Sequence, residues 1–306
     1  MKNESMFQKV KVSLVSELGI ELGEMLVLGN KCSHVFKAVQ GGNFVVVKLG
    51  IIESEKIEIA KNKDGYIEME RIGASILMPN PLHIFEINEI PIIVMQDCGL
   101  DFWHAVKIDN DPLTLYQSLI SGLGQVYSIT KRDGREDSIN SLNSVRDRLI
   151  NQYQKYLFPV FGNRSGMIDA LKKIDFRVIA SESVCFASFD FTPEDVFITS
   201  SGIKYVDPLP GLIGVPIIDM ACFAGVARDA YELPGSVKGY EIIENFAIEK
   251  IPEIIRLNKD VAKSIFFLGR SLQCALSSRF RIGKGDGRDV YFFEMSCYYC
   301  NSFLNY

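Results

Sequence analysis

The chain has 306 residues, 47% of them hydrophobic, and a net charge of −5 at pH 7. That is enough apolar material for one large domain or two lobes. The acidic balance leaves no basic stripe and argues against nucleic acid as a partner.

At the N-terminus, Phe7, Val10, Leu14 and Leu18 recur at helical spacing, so residues 4–18 read as an amphipathic helix. Charges run through this segment, and it holds no apolar stretch of signal-peptide length. Three apolar runs follow, Glu24–Gly29, Ser33–Gln40 and Asn43–Leu49, the last two joined by the hairpin signal Gly41-Gly42. Residues 53–78 read as helix, stopping before Pro79-Asn80-Pro81. Strand-like runs Leu82–Ile87 and Pro91–Gln96 flank the turn pair Asn88-Glu89. Five strands with one helix after the third make an α+β arrangement rather than repeated βαβ units.

From Gly99 onward helical patterns dominate, at about 112–130, 138–160, 165–174, 216–230, 239–250, 252–282 and 289–305. Only Val196–Thr199 and Ile203–Val206, turning at Ser200-Ser201-Gly202, read as strands there. The expected division is a β-rich N-terminal lobe over 1–97 and a mainly helical lobe over 98–306, with Gln96-Asp97-Cys98-Gly99 as the connection. The apolar stretch Leu209–Ala227 is broken by Pro210, Pro216 and Asp219 and does not read as a membrane span. Cys297-x-x-Cys300 lacks a second ligand pair, and His34, His83 and His104 lie far from it, so structural zinc is not expected. Seven cysteines without a disulfide-framework spacing, and no export signal, fit a reducing cytoplasm.

Three aspartates stand out. Asp190 and Asp195 lie in Ser188-Phe189-Asp190-Phe191-Thr192-Pro193-Glu194-Asp195, and Asp207 closes Ile203-Lys204-Tyr205-Val206-Asp207 after the short hairpin. Each alone is an ordinary turn residue. Together, converging carboxylates need a cation or a reacting proton between them. Upstream, Lys48 ends the apolar strand Phe44-Val45-Val46-Val47-Lys48, where a buried charge needs a partner.

This order of elements and acids resembles the aminoglycoside phosphotransferase branch of the protein-kinase-like fold, over about residues 24–230 and most firmly over 188–221. The family carries His-Gly-Asp-x-x-x-x-Asn, a hairpin, a second aspartate, and a later Asp-x-Ala helix start. Here these read Ser188-Phe189-Asp190, Asp195, Asp207 and Asp219-Met220-Ala221. The resemblance implies a two-lobed fold using ATP and Mg²⁺. Asp190 would orient the acceptor hydroxyl and take its proton. Asp195 and Asp207 would supply oxygen ligands for the metal, and Asp219 would brace the loop. Lys48 would meet phosphate oxygens and a helix glutamate. Glu68 and Glu70 are both candidates but point to different sides, and Glu68 better suits the spacing to Pro79-Asn80-Pro81. Ser33, in the loop Leu28–Phe36, would meet phosphate. Backbone groups of Gln96 and Cys98 would hold adenine.

The implied activity is transfer of the γ-phosphate to a hydroxyl of a small molecule, such as an aminoglycoside-like antibiotic, a sugar or an amino alcohol. Oligomeric state is not legible. Two departures from the family pattern, Ser188-Phe189 for His-Gly and Asp195 for Asn, raise the alternative of a nucleotide-binding regulator of a protein partner. A protein kinase is disfavoured, because no Ala-Pro-Glu follows Asp207 and Gly214–Asp219 comes too soon for a long activation segment. Gly283-Lys284-Gly285-Asp286-Gly287 is not a Walker loop, the aromatic run Tyr291–Tyr299 reads as helix packing, and Asp229, Glu232, Glu241 and Glu244 read as a solvated helix face.

Overall fold

Helical spacing of Phe7, Val10 and Leu14 produces α1 (Lys2–Leu18), whose Val10 and Leu14 lie fully buried on one face of a sheet. The computed structural model describes residues 2–26, 34–108, 111–188, 193–231, 240–255 and 257–305. Strands β1 (Ile20–Leu26), β2 (His34–Gln40), β3 (Asn43–Leu49), β4 (Leu82–Ile87) and β5 (Ile90–Gln96) form an antiparallel sheet in the order β1-β2-β3-β5-β4. Both tight hairpins turn through two residues. Gly41-Gly42 has φ of +55° and +83°, and Asn88-Glu89 has +51° and +65°. Positive φ at both central positions is the turn geometry whose twist matches that of the strands.

Side chains alternate across the sheet. Val45, Val47 and Leu49 of β3, with Ile90, Ile92 and Val94 of β5, join the α1 core. Lys48 therefore points to the opposite face, where α2 (Glu53–Arg71) lies. The buried stripe of α2 is Glu55, Ile59, Asn62, Tyr66 and Met69, a three-and-four spacing with two polar members. The helix ends at Arg71 rather than at the expected residue 78. Gly73 takes φ of +83°, and Ser75–Leu77 form a separate 3-10 turn.

The helical part opens with α3 (Phe102–Ile108), which periodicity did not reveal, and α4 (Pro112–Thr130), capped by the Asp111 side chain on the Thr114 N–H. Then come β6 (Arg132–Asp133), α5 (Arg135–Gln152), a π-helical turn at Tyr153–Leu157, α6 (Phe158–Phe161), α7 (Ser165–Lys172) and β7 (Ser183–Phe186). A hairpin of β8 (Val196–Thr199) and β9 (Gly202–Tyr205) precedes β10 (Ile213–Gly214), and α8 (Ile217–Tyr231), α9 (Tyr240–Ile255), α10 (Lys259–Arg281) and α11 (Arg288–Leu304) complete the chain. The helices expected over 239–250 and 252–282 form with their boundary moved: α9 runs on to Ile255, and Asn258 caps α10 by accepting the Asp260 and Val261 N–H groups. Among the described residues no helix is long and apolar enough to cross a membrane.

Two compact units result, residues 1–101 with 195–211, and residues 102–194 with 212–306. The β8–β9 hairpin, placed by the sequence in the 98–306 lobe, thus belongs to the first unit. There Phe197 bridges Asp101, and Lys204 Nζ donates to the Ile76 carbonyl at 3.2 Å. In the second unit β7 is the middle strand between β10 and β6. Helix α10 is buried along most of its length and packs on α8 and α11.

Candidate active site

Lys48 is 2% exposed, and its three ammonium protons meet three acceptors. Glu58 Oε1 lies at 2.6 Å, Asp207 Oδ2 at 2.9 Å and Asn62 Oδ1 at 3.1 Å. Burial is the largest influence on the ammonium and pulls its pKa down. The neighbouring Asp207 and Glu58 together outweigh it, so the net shift is upward from the ordinary 10.5 and the lysine is a cation at any physiological pH.

The helix glutamate facing Lys48 is therefore Glu58, not Glu68. Glu58 sits beside the stripe of Glu55, Ile59 and Asn62 that α2 turns toward the sheet. Ten positions further on, Glu68 is rotated by roughly a quarter-turn around the helix, and it binds the Gly211 N–H instead. The apolar members Ile59, Tyr66 and Met69 could have revealed this facing direction from sequence. The spacing to the Pro79-Asn80-Pro81 turn was a weaker guide.

Asp207 follows β9 with φ of +52°, a left-handed conformation that aspartate tolerates better than most side chains. Its N–H donates to Tyr66 Oη at 3.3 Å. Gly65, one position earlier on α2, lets the Pro208 carbonyl come so close that a Cβ at 65 would overlap it. Burial first, and then the Asp207 and Asp195 charges, drive the Tyr66 phenol well above its usual range, so it stays neutral. Both carboxylates thus act on the same hydroxyl. Asp195 is 3% exposed, and its carbonyl accepts the Val206 N–H at 2.8 Å, tying the start of the hairpin to its end.

While Oδ2 of Asp207 is held by Lys48, its Oδ1 is buried with no hydrogen-bond partner among the described residues. A buried bare carboxylate oxygen is costly unless something binds it. Among the described residues no three His, Cys, Asp or Glu side chains gather as a metal cage. Mg²⁺ does not need one, because it is commonly held by one or two carboxylates plus phosphate oxygens and water. The bare Asp207 oxygen and the neighbouring Asp195 carboxylate fit that hard-oxygen pattern.

At the end of β5, the Gln96 N–H donates to the Pro81 carbonyl at 2.9 Å, and the Gln96 side chain accepts the Asn80 N–H at 3.1 Å. The Gln96 N–H is therefore committed within the protein, while its carbonyl faces the Cys98 thiol at 3.6 Å. Burial pushes that thiol up to about 11 despite the opposing pull of Lys204. His34, at the start of β2, places Nδ1 2.9 Å from Glu55 Oε1, and Glu55 Oε2 accepts the N–H groups of Ile51 and Ile52. Ser33 and Asp190 lie outside the described residues.

In the second unit, β7 leads into the segment before Asp190. The Phe186 N–H donates to Thr130 Oγ1, the Ala187 N–H to the Leu212 carbonyl, and the Ser188 N–H to Oδ2 of buried Asp219. The backbone at Ser188 is thus anchored by the first turn of α8, in a chain with no histidine at that position. Glu244 is not on a solvated face. Its carboxylate receives Arg270 Nε at 3.2 Å and the Tyr299 hydroxyl, and Arg270 is fully buried.

No protein-family model matches the chain, and no curated protein matches it in sequence. Solved structures do. The choline kinase LicA from Streptococcus pneumoniae superposes with a TM-score of 0.56 at 14% identity, covering 97% of this chain and 99% of that one. LicA has also been solved with AMP. A choline/ethanolamine kinase family protein from Mesorhizobium loti gives 0.55 at 10% identity over 98% and 95%. A thermostable mutant of the aminoglycoside phosphotransferase APH(4)-Ia, in a ternary complex with ADP and hygromycin B, gives 0.52 at 11% identity over 97% and 98%. Such identities speak to architecture alone: the chain has the α+β protein-kinase-like fold that small-molecule kinases share.

Proposed function

We infer that this protein is a phosphotransferase that moves the γ-phosphate of ATP, with Mg²⁺, to a hydroxyl of a small molecule. The observation carrying this reading is the contact between buried Lys48 and Asp207, with the second Asp207 oxygen bare. A cation and an unfilled oxygen ligand side by side suit a polyphosphate and its counter-ion. Bound Mg²⁺ would supply charge neutralisation on the phosphates. Because all three Lys48 donors are engaged, a phosphate oxygen reaches Lys48 by displacing an acceptor. Glu58, with 32% of its side chain exposed, is the one most open to exchange.

In the reaction, the acceptor oxygen forms a bond to the γ-phosphorus as the bridging bond to ADP breaks, and the hydroxyl proton passes to Asp190. The small-molecule acceptors of the structural neighbours, choline and an aminoglycoside among them, support an amino alcohol, sugar or aminoglycoside-like acceptor here. The free thiols among the described residues fit a cytoplasmic location.

A second reading, a nucleotide-binding regulator, draws on Ser188-Phe189 in place of His-Gly. One experiment separates the two. ATP with Mg²⁺ should raise the melting temperature, and a panel of hydroxyl compounds should reveal turnover that Asp190→Asn abolishes while nucleotide still binds. Asp207→Ala should remove the metal dependence of nucleotide affinity. Stabilisation without turnover favours the regulator, and no stabilisation by any nucleotide and metal rejects both.

A further inference from the structure

Three α2 residues bind the turn that follows β9. Tyr66 Oη accepts the N–H of Asp207 at one end, and Gly65 admits the Pro208 carbonyl in the middle. At the far end, Glu68 Oε2 accepts the Gly211 N–H at 2.6 Å. The Glu68 side chain keeps only 17% exposure, so this charge-assisted bond is partly shielded from water. Both ends of the turn are left-handed, Asp207 with φ of +52° and Gly211 with +90°. Glycine adopts that conformation freely, whereas a non-glycine residue holds it only where its surroundings impose it. Position 207 therefore depends on its anchors, and the anchor at 211 is the one made by a carboxylate.

We propose that Glu68 is a positioning residue for Asp207: by holding the Gly211 N–H it fixes the 207–211 turn and aims the bare Asp207 Oδ1. This rests on the phosphotransferase reading, in which that oxygen is a metal ligand. In this role Glu68 is not itself a metal ligand and acts through the backbone of the turn. Partners that orient a ligating carboxylate shift metal affinity by about ten- to a hundredfold when removed.

The test uses the full-length protein with Mn²⁺ as a paramagnetic probe, titrated in the presence of ATP, and amide hydrogen exchange of residues 207–211 without any ligand. Glu68→Ala should weaken Mn²⁺ binding about tenfold and speed exchange of the turn. Glu68→Gln, whose amide oxygen accepts the same N–H, should stay closer to the wild type in both. If the alanine variant does not fold, Glu68→Asp, which keeps the charge on a shorter arm, carries the same expectation. Wild-type Mn²⁺ affinity in the alanine or aspartate variant overturns the assignment, and so does unchanged exchange. If the wild type takes up no Mn²⁺ with ATP, the phosphotransferase reading fails instead, and the exchange rates still decide whether Glu68 holds the turn.

Discussion

Lys48 sets the local electrostatics of the site, because it pairs with both the Glu58 and the Asp207 carboxylates. Replacing it by methionine keeps much of the volume but leaves two acids facing each other across a buried site. Breaking a buried pair in this way costs about 3 kcal/mol, toward the lower end of the usual range because Glu58 keeps water contact. Chemical denaturation of Lys48→Met at pH 7 should show that loss, and an unchanged midpoint would mean the ion pairs contribute nothing. The sign of the pH dependence follows from the upward shift. The stabilisation is fully present below the unfolded lysine value of 10.5 and fades as pH climbs through the higher folded value. The stability gap between wild type and variant should accordingly be flat near neutrality and close only in strong alkali.

Among the elements, α2 and α8 carry most of the precision. Helix α2 gives Glu58 and Asn62 to Lys48, while Gly65, Tyr66 and Glu68 lie against the 207–211 turn. Because one helix serves both groups, rotating it would disturb them together. The crossing of α8 and α10 depends on two glycines. A Cβ at Gly225 would overlap the Arg270 guanidinium, and one at Gly269 would press on Ala221 and the Ile218 backbone. Arg270 is fully buried between Glu244, Gln273 and the Tyr299 ring, so it has no free path to move aside. Gly225→Ala should therefore lower stability by about 1–3 kcal/mol through overpacking, despite the better helix propensity of alanine. Calorimetry would detect it, and a raised melting temperature would show that the crossing has slack.

At the scale of the whole molecule, six described cysteines distribute unevenly: Cys98 is half-exposed, whereas Cys185, Cys222, Cys274, Cys297 and Cys300 are buried. Burial pushes Cys98 up to about 11 and Cys300 to about 12. Alkylation of the native protein at pH 8 should reach Cys98 before the other five. Its rate should be about a hundredfold below that of an ordinary thiol and rise steeply toward pH 11, since the thiolate is the reactive form. Peptide mapping by mass spectrometry reads this directly, and equally fast labelling of Cys274 would contradict the packing.

The amino-acid sequence by itself determined the order of the longer elements, the two-residue turns at Gly41-Gly42 and Asn88-Glu89, and the spacing of Asp190, Asp195 and Asp207. These are local properties, written in glycines, periodicity and short intervals. Only the tertiary structure decided that Lys48 takes Glu58, that Glu68 holds Gly211, and that the β8–β9 hairpin joins the first unit. It also revealed β7, whose partners β6 and β10 lie far away in sequence so that no hairpin turn marks it, and it moved the boundary between the last two expected patterns from about residue 251 to the Asn258 cap. The physical reason is that periodicity tells which residues share a helix face but not which strand that face meets. Contacts such as Lys48 with Asp207, 159 positions apart, are fixed only when separate segments pack.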